Sequence, residues 1–111
     1  MKLRKTLRIE GFEVFEAGNG REGLTVLEQI EMPEIALVDW NMPEMNGLDF
    51  VKAVRSQEKY REMLLMMVTS ETEPRQMVRA LCAGANEYLM KPYTDEILTD
   101  KLKLLGVLGA A

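Results

Sequence analysis

Three side chains stand where chemistry could converge. Asp39 follows the apolar run Ile35–Val38, Thr69 ends the run "LLMMVT", and Lys91 follows "EYLM". A carboxylate, a hydroxyl and an ammonium together suit the handling of a phosphoryl group. The carboxylate can attack phosphorus to give an aspartyl phosphate, while the ammonium and the hydroxyl donate to phosphoryl oxygens. The transferred group is anionic and calls for a hard cation, Mg²⁺. Asn41, two residues past Asp39, can add its backbone carbonyl to the Asp39 carboxylate as an oxygen ligand for that ion.

These residues meet only if the elements carrying them run side by side, and the patterning predicts that they do. Lys2–Glu10 reads as a helix with Leu3, Leu7 and Ile9 inward, ended by Gly11. Phe12–Ala17 alternates and reads as a strand. Asn19 and Gly20 open a helix to about Ile30, which Pro33 ends. Ile35–Asp39 is apolar on both faces, as in a covered parallel strand. Leu48–Arg55 is amphipathic. Leu64–Thr69 is a second covered strand, and Glu73–Ala83 a helix with Met77, Val78, Leu81 and Cys82 inward, stopped by Gly84. Glu87–Met90 is a short strand, and Thr94 caps a last helix through Leu105, with Ile97, Leu98, the Lys101 stem, Leu102 and Leu105 in its periodic set. The order αβαβαβαβα implies an α/β three-layer sandwich with a parallel sheet. Sites in such sheets form at the carboxyl ends of the strands, where Asp39, Thr69 and Lys91 are expected.

Composition narrows the classes. A chain of 111 residues, 47% hydrophobic and 29% charged, suits one globular domain. A net charge of −4 gives nucleic-acid binding no electrostatic support. No apolar run is long enough to span a membrane, and the N-terminal stretch "MKLRKTLRIEGFEV" is too interrupted by charge for a signal peptide. The single cysteine, Cys82, fits a reducing cytoplasm and reads as a small buried hydrophobe. With no histidine, imidazole-based catalysis and metal ligation are excluded.

The stretches "ALVDWNMPEMNGLDFVKAVR", "MMVTSETE", "ALCAGANEYLMKPY" and "LTDKL" resemble the receiver domain of two-component signalling, nearest to the single-domain, CheY-like chemotaxis regulators. The likeness runs from about Leu3 to Leu105. It implies a flavodoxin-like fold and a phosphoacceptor signalling module rather than an enzyme, with at most self-phosphotransfer and autodephosphorylation. By that resemblance Asp39 is phosphorylated by a histidine kinase, and Asp39 with Asn41 holds Mg²⁺. Thr69 and Lys91 contact the phosphate, Tyr88 is an aromatic switch, and Asn41 and Glu71 tune dephosphorylation. The bond before Pro92 is expected to be cis. The implied downstream partner is of the kind found at the flagellar motor switch.

The chain departs from the family at its start. The first strand, which ends in the acidic pair that holds Mg²⁺, has no counterpart, so residues 1–111 are expected to form one N-terminally truncated domain with weakened Mg²⁺ binding. In the family's 2-1-3-4-5 strand order that strand is central. Its loss leaves Ile35–Asp39 with an open edge and predicts a homo-oligomer, through rearranged or exchanged elements, in place of a lone monomer.

Plainer readings stand beside these. Tyr88 and Trp40 are equally accounted for by packing, and the methionines by core filling. "GNGREG" (18–23) matches the dinucleotide-binding pattern after a strand, an alternative that leaves Thr69 and Lys91 unexplained. A further alternative is a phosphorylation-defective variant that acts as an interaction and dimerisation module.

Overall fold

The computed structural model describes residues 2–70 and 74–108. Its elements are α1 (Lys2–Ile9), α2 (Gly20–Gln29), β1 (Ile35–Asp39), α3 (Gly47–Arg55), a 3₁₀ turn (Glu58–Tyr60), β2 (Leu64–Thr69), α4 (Pro74–Ala83), β3 (Glu87–Met90) and α5 (Asp95–Leu104). The strands form one parallel sheet in the order β1-β2-β3.

Side-chain alternation along the strands divides the core between two faces. On one face Val38, Leu65 and Met67 meet Leu27 of α2, Phe50, Val51 and Val54 of α3, and Ala80 of α4. On the other, Met66, Val68 and Leu89 meet Leu98 and Leu102 of α5, with Leu7 of α1 and Phe12 at the margin. Helices therefore cover both faces, which is the three-layer sandwich expected from the alternating order. Burying each of the large aliphatic side chains contributes about 1.5–3 kcal/mol.

Local signals set the helix starts. The side chains of Asn19, Asn46 and Thr94 accept from the backbone N–H groups of Glu22, Asp49 and Ile97 respectively. Each satisfies a donor that the first helical turn leaves unpaired. Gly11 and Gly106, at φ +95° and +82°, follow α1 and α5 in the left-handed region that favours glycine.

Four expectations are corrected. Ile9 of α1, expected inward, is 74% exposed. Phe12–Ala17 is not a strand. It keeps the predicted alternation at its start, with Phe12 and Val14 half-buried and Phe15 52% exposed, but among the described residues no strand lies beside it. A groove of about 290 Å³ separates it from β1, lined by Val14, Ala17, Leu27, Ile35, Leu37 and Phe50 among others. Periodicity assigns faces, whereas a strand also needs a hydrogen-bonding neighbour.

The inward face of α4 is also different. Ala80 is buried, whereas Val78, Leu81 and Cys82 are exposed, so Cys82 is not a core residue. The small Ala80 joins the cluster formed with α3, and the larger apolar residues are rotated outward. In α5, Ile97 is likewise exposed, at 46%, while Leu98 and Leu102 are fully buried.

Candidate functional site

The parallel register brings the three reactive side chains to one rim. Asp39 pairs with Val68 and Thr69 pairs with Met90, so the carboxyl ends of β1, β2 and β3 lie level. Lys91 Nζ approaches Asp39 Oδ2 at 3.0 Å, with both side chains about 40% exposed (42% and 43%). The Lys91 backbone N–H donates to the Thr69 carbonyl at 2.8 Å, tying the lysine's strand end to β2. Thr69 itself is 2% exposed. The carboxylate thus faces solvent beside a cation, with a hydroxyl-bearing residue just beneath.

The loop after β1 shapes the other side. The Asn41 N–H donates to Asp39 Oδ1 at 3.2 Å, holding Asn41 beside the carboxylate. Trp40 is 8% exposed, and its N–H continues the ladder to the Val68 carbonyl at 3.0 Å. Glu44 adopts φ 65°, unusual for a residue with a Cβ, as the chain turns back to α3. Gly47 closes the loop, donating to the Trp40 carbonyl at 2.9 Å. A Cβ on Gly47 would meet backbone: the Asp39 carbonyl oxygen, and Trp40 Cα at 2.9 Å. Only glycine lets α3 start this close to the reactive strand end.

The remaining sequence-derived residues fall around this rim. The Lys91–Pro92 peptide is cis. Tyr88, half-buried, packs on the same face of the sheet as Met67. Glu71 lies outside the described residues. Burial raises the pKa of the Tyr93 phenol, next in sequence to Pro92; Lys91 opposes that shift and Asp95 reinforces it. Gly23 of "GNGREG" lies against Phe50, 2.9 Å from where its Cβ would be, and Gly20 lies against Met45 at 2.8 Å, so close packing accounts for both glycines.

Two features of the site's surroundings were not read from the sequence. The Glu87–Lys101 ion pair, at 3.0 Å, sits beside Tyr88. Its sequence signal is the one charged residue of the otherwise apolar β3 and one of several on α5, which no local pattern pairs. The second is Arg55, whose guanidinium donates to the carbonyls of Gly84, Tyr60 and Arg61 and to Asn86 Oδ1, locking α3 to the turn before β3. Burial lowers the Arg55 pKa.

For a metal ion the rim offers hard oxygen donors, the Asp39 carboxylate and the Asn41 carbonyl, which suit Mg²⁺ in kind. Among the described residues no three acidic, cysteine or histidine side chains cluster as a metal-binding group.

The parallel α/β sheet carries Asp39, Thr69 and Lys91 at successive strand ends, and residues 1–103 match the response regulator receiver domain. The chain belongs to that family. Its relatives include chemotaxis regulators: a CheY homolog of Campylobacter jejuni is 43% identical over 108 residues, spanning 96% of this chain and 82% of that protein. The structure of Vibrio cholerae chemotaxis protein CheY4 superposes with a TM-score of 0.86 at 36% identity, covering 93% of this chain and 85% of that one. The receiver domain of the Pseudomonas aeruginosa sensor histidine kinase PA1611, described with a magnesium ion in its active-site cleft, gives a TM-score of 0.83 at 24% identity, over 93% and 84% of the two chains. That last likeness bears on the fold alone.

Proposed function

We propose that this chain is a phosphoacceptor module of a chemotaxis-type two-component system, phosphorylated on Asp39 by a histidine kinase. The observation that carries this reading is the exposed Asp39 carboxylate with Lys91 Nζ at 3.0 Å, on a rim shared with Thr69. In the transfer, an Asp39 oxygen forms the bond to phosphorus as the bond from phosphorus to the donor breaks. Lys91 then pairs with a phosphoryl oxygen and Thr69 donates its hydroxyl to another. Tyr88 responds to the shift of Thr69, and Asn41 and Glu71 tune hydrolysis of the acyl phosphate. That response is a population shift between two packings, read by a downstream protein such as the flagellar motor switch in the cytoplasm.

Asp39 and the Asn41 carbonyl would hold Mg²⁺, whose charge neutralises phosphoryl oxygens when it is bound. With one carboxylate in that set among the described residues, weak binding is expected. The test is incubation with acetyl phosphate and Mg²⁺, followed by intact mass and by Trp40 emission. One added phosphoryl group, absent from Asp39→Asn, is the expected result. An unmodified wild-type mass at saturating Mg²⁺ would overturn the reading.

The groove beside β1 favours a second reading, in which the domain associates with a second copy through the side of β1 that is unpaired among the described residues. In that form it acts as an interaction module whether or not Asp39 is modified. Light scattering across a dilution series tests this. A concentration-dependent dimer is expected, and a monomer at every concentration would remove the second reading.

A further inference from the structure

Outside the rim, the free edge of β3 carries the least exposed ion pair among those described. Glu87 and Lys101 side chains are 15% and 26% exposed, against 42–81% for the members of the other pairs. Lys101 rises from α5 between Leu98 and Leu102, both fully buried, so its stem starts from a rigid part of the core. Its ammonium does two things at once. It donates to Glu87 Oε1 at 3.0 Å, and it stands 4.6 Å from the centroid of the Tyr88 ring. Glu87 Oε1 also accepts the Tyr88 backbone N–H at 3.0 Å, so one carboxylate oxygen joins the lysine to the tyrosine's own main chain.

We infer that Glu87 and Lys101 form a clamp around the sheet edge that fixes the position of the Tyr88 ring, making Lys101 a positioning residue for Tyr88. Glu87 and Leu89 point toward α5, whereas Tyr88 points to the opposite face with Met67 and Thr69. Lys101 reaches around the edge from the α5 side to the ring. The attraction between an ammonium and an aromatic face is directional and strengthens when water is excluded. The Glu87 carboxylate holds the ammonium where that attraction is spent on one ring position. The clamp rests on the proposed function only in what it controls: a Tyr88 ring released from Lys101 is freer to follow Thr69. Its existence does not depend on phosphorylation.

Incorporation of 3-fluorotyrosine and ¹⁹F NMR of the unphosphorylated protein tests it, with the Tyr88 line assigned by Tyr88→Phe. Lys101→Met keeps the stem and removes the charge. It is expected to move the Tyr88 line and to change the ratio of ring positions about fivefold, the equivalent of a partly exposed cation–π contact, while the Tyr60 and Tyr93 lines stay put. Lys101→Arg, which returns a cation to the ring, should restore the line. Glu87→Gln keeps the ammonium but weakens its tether, and should give an intermediate shift. A Tyr88 line unmoved in Lys101→Met, or not restored by arginine, would overturn the clamp. Adding acetyl phosphate and Mg²⁺ to the same samples separates the two claims. If the line answers to Lys101 but never to acetyl phosphate, the clamp stands and the phosphoacceptor reading falls; the reverse result sinks the clamp alone.

Discussion

Gly47→Ala places a methyl group where the structure has backbone. The new Cβ would lie 2.9 Å from Trp40 Cα, 3.0 Å from the Asp39 carbonyl carbon, and closer still to the Asp39 carbonyl oxygen. Carbon atoms in ordinary contact stand about 3.5–4.0 Å apart. None of these neighbours is the end of a flexible side chain, so the strand end and the start of α3 must separate by roughly 0.5–1 Å. Overpacking of this kind costs about 2–3 kcal/mol. The displaced atoms include the Asp39 main chain, so the 3.0 Å approach of Lys91 to Asp39 should open as well. Gly18→Ala is the matched control. Its Cβ would meet only Glu22 Oε2, at 3.3 Å, on a side chain that can turn away. There the loss of unfolded-state freedom should dominate, giving a gain of about 0.4–1 kcal/mol. Urea unfolding followed by circular dichroism, at equal m-values, should therefore separate the two glycine substitutions by about 3 kcal/mol. Equal stabilities for Gly47→Ala and Gly18→Ala would refute the claim that α3 is seated directly on the reactive strand end.

Arg55→Met should destabilise the domain by about 2–4 kcal/mol, because it strips donors from three carbonyls and from Asn86 at once. Arg55→Lys should recover little of this, since one ammonium cannot span the fork's acceptors; a loss under about 1 kcal/mol in chemical denaturation would count against the lock. Tyr93 is expected to contribute to the alkaline limb of stability. Its folded pKa is raised by burial above the ordinary 10.0, so its contribution is complete below pH 10.0 and is lost as pH rises through the folded value. Tyr93→Phe should flatten the fall in unfolding midpoint above pH 10.0, and an unchanged alkaline slope would show that the phenol is not its source.

The parts of this fold legible in the sequence are those that local physics decides. Continuous apolar runs gave β1 and β2, because a strand covered on both faces can be nothing else at that length. Asn19 and Thr94 announced their helices through capping chemistry. Asp39, Thr69 and Lys91 were recognisable because each ends such a run, and a parallel sheet gathers strand ends at one edge. Longer-range relations were not legible. The alternation of Phe12–Ala17 describes an extended chain equally well with or without a neighbour. On α4, Val78, Leu81 and Cys82 share the apolar type of a core face, yet the short side chain of Ala80 is what joins the cluster with α3. The Glu87–Lys101 clamp joins residues fourteen apart in sequence, on different elements, through an orientation that only the folded edge of the sheet supplies.

Among the described residues, the unpaired side of β1 and the support of Asp39 belong to one physical problem. Thr69 lies on the central strand of the described sheet, paired on both sides, and the backbone of Lys91 is tied to it. Among the described residues, Asp39 ends a strand paired on one side only and bordered on the other by a groove. Of the three rim groups it is the carboxylate whose backbone support is thinnest among the described residues. Two contacts compensate locally: the Trp40 N–H carries the ladder one residue beyond the strand, and Gly47 seats α3 against the same turn. A strand that enters the groove would pair with that side of β1 and exclude water from its apolar wall, stiffening the strand end that carries Asp39. Under the proposed function, occupancy of that groove would therefore be coupled to the reactivity of Asp39 through β1.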